Sequence, residues 1–146
     1  MPIANSPTHT PQATTQCLAV DASCPGNPGP MEYRGVHLPS GKVVFRFGPM
    51  QGTNNIGEFL AIVHALALLK KHGVSMPVYT DSKTALAWLR KQKCGTKMAQ
   101  TAENADLFAI VARAEAWLHH NDYSDCPVRK WDTTAWGEIP ADFGRK

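Results

Sequence analysis

The sequence predicts one mixed α/β domain, in which helices pack on a sheet of three antiparallel and two parallel strands. Short apolar segments bounded by glycine and proline predict strands. Longer segments with apolar residues at helical spacing predict helices, and in the second half of the chain the two kinds alternate. Because helical crossovers join parallel strands, we expect the first, fourth and fifth strands to be parallel.

The first half of the domain is predicted to form a strand and a hairpin. Residues 17–21 (CLAVD) are a short apolar run, and the glycine- and proline-rich segment 24–30 after them predicts a turn. Two further strands are expected over 33–39 and 42–47, joined by the tight turn Ser40-Gly41. Residues 48–55 are expected to be a loop.

The second half is predicted to begin with a helix over 56–71 that ends at Gly73. The segments that follow are a strand over 74–80, helices over 82–91 and 103–120, and a last strand over 127–131. The sequence after residue 131 has no periodicity that assigns an element type.

Composition places the chain among ordinary globular proteins. Its 146 residues fit one domain, with 43% hydrophobic and 18% charged residues. No apolar run is long enough to span a bilayer, and the start lacks the basic and apolar regions of a secretory signal, so we expect a cytoplasmic protein. Residues 1–16 are predicted to be a flexible tail and residues 17–146 the folded domain.

Cysteine spacing and charge restrict the function classes further. The four cysteines form no C-x-x-C pair and are interpreted as free thiols of a reducing compartment. A zinc site from His119, His120 and Cys126 is conceivable, but the spacing matches no strong pattern. The net charge of +3 permits a nucleic-acid partner. Between residues 82 and 102 there are five basic residues and no acidic one, which predicts either a solvated face or a rail for phosphates.

Four carboxylates occupy positions that favour a metal site. Asp21 and Asp81 each follow a predicted buried strand, and the carboxyl ends of parallel strands lie at the same sheet edge. Glu58 falls in the first turn of the first predicted helix, and Asp142 follows the last strand. Carboxylate oxygens are the ligands that Mg²⁺ prefers, and a pair of ions can drive a phosphoryl displacement.

Each carboxylate also has a structural interpretation. Asn55 and Glu58 have the spacing of a helix capping box, and Asp81 or Ser82 could be the N-cap of the next helix. The other two carboxylates could accept hydrogen bonds from turns.

Four segments, in order, resemble motifs of the type 1 ribonuclease H family. They are DASCPGNPGP at 21–30, TNNIGE at 53–58, YTDS at 79–82 and GEIPAD at 137–142. The resemblance extends over residues 17–146 and implies a ribonuclease H-like fold. It also implies an endonuclease that hydrolyses the RNA strand of RNA–DNA hybrids with two Mg²⁺ or Mn²⁺ ions, leaving 5′-phosphate and 3′-hydroxyl ends.

The resemblance further implies roles for individual residues. The implied catalytic residues and metal ligands are Asp21, Glu58, Asp81 and Asp142. The predicted substrate contacts are Asn27, Asn54 and Asn55 in the hybrid minor groove, Thr53 on a DNA phosphate, and Lys83, Lys91 and Lys93 of the basic stretch. For the asparagines, ordinary turn and cap chemistry is the alternative.

Three features depart from the family pattern. Many members carry a histidine in the loop before the last aspartate, whereas residues 127–142 contain none; Asp132 or Glu138 could substitute. The basic protrusion between the middle helices is reduced to a short stretch. The sequence ends four residues after Asp142, so a final helix is expected to be short or missing.

Three other functions compete with this interpretation. A non-catalytic hybrid-binding or nucleic-acid-binding module on the same fold would keep the shape without turnover. An exonuclease or integrase core is disfavoured, because the usual exonuclease motif has a second acid where this chain has Ser23. A plain structural domain would leave the positions of the acids unexplained.

Overall fold

The computed structural model describes residues 16–143. The predicted tail, apart from Gln16, and residues 144–146 therefore lie outside the described residues. The elements in chain order are β1 (Cys17–Ser23), β2 (Gly29–Leu38), β3 (Lys42–Gly52), α1 (Asn54–His72), β4 (Val78–Thr80), α2 (Lys83–Lys91), α3 (Ala105–His120), β5 (Val128–Lys130) and α4 (Thr133–Trp136).

The five strands form one mixed sheet in the order β3-β2-β1-β4-β5. β2 pairs antiparallel with both β1 and β3, whereas β4 pairs parallel with both β1 and β5. The predicted sheet of three antiparallel and two parallel strands is confirmed. In the described part of the chain, no helix has the length and apolar character needed to cross a membrane.

The hairpin strands are longer than predicted, and the turn and loop assigned to 24–30 and 48–55 were partly wrong. β2 already begins at Gly29, and β3 continues through Pro49 to Gly52. Proline is tolerated where a strand has only one neighbour. β1 first pairs with β2 at Glu32, so Pro30 faces β3 alone, and β3 is itself an edge strand.

The fourth strand is shorter than predicted, with only Val78–Thr80 in the ladder instead of 74–80. The amide of Val74 is occupied in ending α1, where it donates to Leu69 O at 3.0 Å. Val74 is also 42% exposed, which a buried strand would not allow.

The helix ends show which capping prediction holds. Thr53 is the N-cap of α1, where its side chain accepts from the Ile56 amide, so the capping box based on Asn55 was wrong. Gly73 ends α1 as predicted, with a left-handed φ of 65°. Ser82 caps α2 by accepting from the Ala85 amide.

The last long helix, α3, begins at Ala105 rather than at residue 103, because Asn104 is its cap. Its predicted apolar stripe is confirmed, and the buried members are Leu107, Val111, Ala114 and Leu118.

The sheet has an apolar core on each face. The larger core lies beneath α1, α2 and α3, with Phe59 and Leu66 among its fully buried side chains. The smaller core lies on the opposite face under the C-terminal segment, where Trp131, Ile139 and Ala141 are at most 1% exposed. The carboxyl ends of β1 and β4 lie between these two cores.

Candidate active site

Three of the four predicted carboxylates converge at one edge of the sheet. Asp21 lies in β1 and is fully buried, Glu58 lies in α1 and is 2% exposed, and Asp81 directly follows β4 and is half-buried. One oxygen of each carboxylate lies within 4.8 Å of the others.

The parallel pairing of β1 with β4 accounts for the position of Asp81. Leu18 lies opposite Val78 and Ala19 opposite Tyr79. Two residues further along each strand, this register reaches Asp21 and Asp81. The expectation that both carboxylates emerge at the same strand edge is therefore met.

A close approach between α1 and the sheet accounts for the position of Glu58. A Cβ at Gly57 would come within 2.9 Å of both the Ala22 Cβ and the Met31 Cγ, so glycine lets the helix pack directly on β1 and β2. The next residue, Glu58, then lies beside Asp21. Its Oε2 accepts from Asn54 Nδ2 at 3.5 Å, a contact within the helix rather than a capping box.

The charge and chemistry of this cluster fit a hard divalent cation. Buried carboxylates this close together repel each other and are costly to desolvate unless a cation compensates them. Oxygen donors are the ligand type that Mg²⁺ and Mn²⁺ favour. The conceivable zinc ligands His119, His120 and Cys126 form no such group within the described residues, where this cluster is the one group of three or more suitable side chains.

Asp142 lies in the C-terminal segment and is not a member of the three-carboxylate group. Its amide closes a turn by donating to Ile139 O at 2.8 Å. Its carbonyl accepts from Arg34 Nη2 at 2.8 Å. Arg34 lies directly opposite Asp21 in the β1–β2 pairing, so Asp142 is held beside the strand position of Asp21.

The loop after β1 is tied to the start of α1 through its asparagine. Asn27 Oδ1 accepts from the Asn54 amide at 2.9 Å, and Thr53 caps the helix with its hydroxyl. Asn27 and Asn55 are exposed. These contacts give Asn27 a turn role and Thr53 a cap role.

Comparisons with known proteins agree with this geometry. The sequence model of the RNase H family matches residues 13–123. The chain belongs to the RNase H family. The resemblance to this family is thereby confirmed over the first three motifs, and the chain is a ribonuclease H-type hydrolase. The family match ends before Asp142, so the assignment of that residue depends on its motif and its position alone.

Individual relatives give the same assignment. The chain is 28% identical over 135 residues to Ribonuclease H of Neorickettsia sennetsu, an alignment that spans 77% of this chain and 89% of that protein. It is 38% identical over 99 residues to Ribonuclease H of Chromobacterium violaceum, spanning 62% and 67%. The crystal structure of LC11-RNase H1 in complex with an RNA/DNA hybrid shares the fold, with a TM-score of 0.54 and 18% identity over 82% of this chain and 87% of that one.

This RNase H domain has a cavity of about 430 Å³ next to the start of α1. The cavity is lined by Thr53 and Asn55, which sequence reasoning selected, by Lys97 of the predicted basic stretch, and by Trp88 and Thr96, which it did not select. An aromatic residue within a stretch of basic residues was the available signal. Lys83, Lys91 and Lys93 are exposed and lie outside this lining.

The two acidic residues considered as substitutes for the loop histidine have different surroundings. Asp132 is the N-cap of α4, where its Oδ1 accepts from the Ala135 amide at 3.1 Å. Glu138 is exposed. A structural role therefore accounts for Asp132, while nothing in the described contacts accounts for Glu138.

A second cavity, of about 450 Å³, is lined by residues of α1, α3 and the hairpin and by none of the four carboxylates. Tyr33 and His64 line it, and the Tyr33 hydroxyl lies 2.9 Å from His64 Nδ1. Burial lowers the pKa of His64 and raises the pKa of Tyr33. Both groups are therefore held in their neutral forms by the larger core.

Proposed function

We propose that this RNase H domain hydrolyses the RNA strand of RNA–DNA hybrids as an endonuclease, with a two-metal-ion mechanism. The observation that carries the proposal is the convergence of Asp21, Glu58 and Asp81 at the edge of the sheet, in a chain of the RNase H family. The products would carry 5′-phosphate and 3′-hydroxyl ends.

The carboxylates would hold two Mg²⁺ or Mn²⁺ ions. Asp21, Glu58 and Asp81 supply a clustered set of oxygen donors, and Asp142 would be the fourth carboxylate. When bound, such ions lower the pKa of the attacking water and offset the charge on the departing 3′ oxygen. The protein would contribute by keeping the donors fixed: Asp21 within a strand, Glu58 within a helix and Asp81 at the end of a strand.

The substrate would be recognised by shape and by the sugar hydroxyls. We assign Asn27, Asn54 and Asn55 to the minor groove of the hybrid, where 2′-hydroxyls distinguish RNA from DNA. Thr53 would contact a phosphate of the DNA strand. The adjoining cavity combines an aromatic ring, Trp88, with a cation, Lys97, which is the pairing that binds a nucleic-acid strand without reading its sequence.

Exposed lysines would supply the general attraction for the phosphate backbone. Lys83 lies in the first turn of α2, Lys91 in its last turn, and Lys93 just beyond it. Because phosphates release counterions when they are neutralised, we expect binding of the hybrid to weaken as salt concentration rises.

The deciding experiment is cleavage of an end-labelled RNA strand within an RNA–DNA hybrid, with Mg²⁺, with Mn²⁺ and with a chelator. RNA duplex and DNA duplex are the substrate controls, and Asp81→Asn is the protein control. We expect metal-dependent cutting of the hybrid alone, and products that a ligase can rejoin because they carry 5′-phosphates. If folded protein binds the hybrid without cutting it in either metal, the domain is a binding module and the proposal is wrong.

A further inference from the structure

We infer that Arg34 is a positioning residue that fixes Asp142 relative to the carboxylate cluster by holding two successive backbone carbonyls. The inference rests on the proposed role of Asp142 as a metal ligand. Arg34 is remote from Asp142 in sequence and lies outside the four family motifs.

The guanidinium of Arg34 binds the two backbone carbonyls that lie on either side of the Asp142 Cα. Nε donates to Ala141 O at 2.8 Å, and Nη2 donates to Asp142 O at 2.8 Å. Only arginine offers two donors in a rigid planar fork of this kind, and hydrogen bonds from a charged donor are about twice as strong as neutral ones. The pair therefore fixes the direction of the backbone at Asp142, and not merely its distance from the sheet.

The base of Arg34 is fixed to the same place as Asp21. In the antiparallel β1–β2 ladder, Asp21 lies opposite Arg34, and directly opposed residues project from the same face of a sheet. Arg34 therefore joins the strand position of one predicted metal ligand to the backbone of another.

The residue after Asp142 adds a second contact with the same guanidinium. The Phe143 ring centroid lies 4.9 Å from Arg34 Cζ and 5.6 Å from Arg46 Cζ. Arg46 lies opposite Arg34 in β3 and pairs with Glu32, Nη2 to Oε1, at 3.6 Å. Both guanidinium groups lie within cation–π distance of the Phe143 ring, and these contacts join residue 143 to the hairpin.

Regular structure contributes little to the position of Asp142, which explains the need for such a contact. The nearest helix, α4, has 4 residues and ends at Trp136. Between it and Asp142, the segment is held by the burial of Ile139 and Ala141 and by a turn. These contacts fix the segment on the sheet, whereas the Arg34 fork sets the orientation of the residue that carries the carboxylate.

The test measures the metal requirement of Arg34→Ala and Arg34→Lys. We expect the Mg²⁺ concentration for half-maximal hybrid cleavage, and the Kd for Mn²⁺ measured by calorimetry without substrate, to rise about tenfold to a hundredfold in Arg34→Ala, as when a metal ligand loses its supporting hydrogen bonds. The maximal rate at saturating metal should be largely retained. Arg34→Lys should be intermediate, because an ammonium group cannot span both carbonyls as a fork.

Arg46→Ala is the matched control. It removes the neighbouring arginine beneath the same Phe143 ring, at a side chain that is 56% exposed, while leaving both carbonyl hydrogen bonds in place. We expect its metal requirement to change by less than about threefold, as for the loss of an exposed cation–π contact. An Arg46→Ala effect as large as that of Arg34→Ala would overturn the inference, because general damage to the hairpin would then explain both.

Asp142→Asn and the double variant with Arg34→Ala separate this inference from the proposed function. If Arg34 acts through Asp142, the Arg34→Ala change should have little further effect on metal affinity once Asp142 is Asn. If Asp142→Asn raises the metal requirement but Arg34→Ala does not, or the two effects multiply, the role of Arg34 is wrong and that of Asp142 stands. If Asp142→Asn leaves the metal requirement unchanged, Asp142 is not a ligand and both assignments fail.

Discussion

The two faces of the sheet are buried to very different extents. Among the residues that the structure describes, α1, α2 and α3 cover a cluster of 25 buried residues on one face. The cluster on the other face has 8 buried residues among those described, and its cover is the segment around Trp131, Ile139 and Ala141. The first face is covered by regular helices, and the second by a segment that contains one helix of 4 residues.

This difference separates the site into a firmly held part and a weakly held part. Asp21, Glu58 and Asp81 belong to or directly follow β1, α1 and β4, regular elements that contribute residues to the larger core; β1 and β4 contribute to the smaller core as well. Asp142 belongs to the cover of the smaller core. Segments with few buried contacts unfold locally at a lower free energy than the whole domain. We therefore expect local unfolding to displace the carboxylate of Asp142 at a lower free energy than it displaces the other three.

The largest expected effect follows from removing a ligand that lies within a strand of the sheet. Asp21→Asn should lower the cleavage rate about a hundredfold to a thousandfold, because a metal would lose a charged ligand. This corresponds to a loss of several kcal/mol of transition-state stabilisation. The fold should persist, and without metal the Tm should not fall, since the change removes repulsion between neighbouring carboxylates. Rate assays and thermal unfolding with chelator check both expectations.

Asp106→Asn is the control for Asp21→Asn, since it neutralises an exposed carboxylate in the first turn of α3. Its cleavage rate should match that of the unchanged protein. A comparable loss of rate in this control would mean that net charge, and not metal ligation, explains the Asp21 result.

The next largest effect compares the two cores directly. Phe59→Ala and Trp131→Ala each truncate a side chain that is at most 1% exposed, and such changes cost about 3–5 kcal/mol. We expect Phe59→Ala to lower the free energy of global unfolding by that amount. Trp131→Ala should lower the free energy of global unfolding less, because the C-terminal segment over the smaller core can unfold while the larger core stays folded.

Urea unfolding and amide hydrogen exchange distinguish these outcomes. In Trp131→Ala, the amide of Asp142, which donates to Ile139 O, should exchange faster than amides of α1. Equal losses of global stability in both variants, with unchanged exchange at Asp142, would mean that the two faces unfold as one unit and that the comparison does not hold.

The sequence predicted what depends on periodicity and on strand order. The apolar spacing in α1 and α3 and the alternation of strands with helices predicted the parallel strands, and the parallel strands predicted the meeting of Asp21 and Asp81. These features are redundant, because many residues contribute to each of them. Glu58 was also a candidate from its place in the first turn of a predicted helix, but its position beside Asp21 depends on the missing side chain at Gly57.

What the sequence did not predict depends on single contacts. The N-cap of α1 is Thr53 rather than Asn55, and both residue types are good caps, so composition does not choose between them. The strand around Pro30 depends on where β1 begins to pair. The contact of Arg34 with Asp142 joins residues 108 positions apart and has no local signal at all.

A smaller effect is expected at Thr53, which joins the capping of α1 to the proposed phosphate contact. Thr53→Ala should lower the free energy of unfolding by about 1 kcal/mol through loss of the cap, and should also raise the KM for the hybrid. Thr53→Ser keeps a hydroxyl for both roles and should behave like the unchanged protein. Denaturant unfolding and steady-state kinetics on the two variants separate the roles: a lower stability with an unchanged KM would leave Thr53 a cap and nothing more.

The smallest expected effect concerns acid sensitivity on the helix-covered face. His64 stacks on Phe45, with ring centroids 4.2 Å apart, and its Nδ1 can accept from the Tyr33 hydroxyl only while the imidazole is neutral. Burial lowers the pKa of His64 below its usual 6.5, so the unfolded chain binds a proton at a higher pH than the folded one. Stability should therefore be unaffected above that value and should decrease as the pH falls through about 6.5 towards the lowered pKa.

The variant His64→Asn keeps an acceptor for Tyr33 but does not titrate. It should be less stable at every pH through loss of the ring contact, yet its free energy of unfolding should fall less between pH 8 and pH 5. Urea unfolding across that range gives the slope, with His72→Asn, at an exposed position at the end of α1, as the control. If the pH dependence of stability in His64→Asn matches that of the unchanged protein, protonation of His64 is not what destabilises the domain in acid.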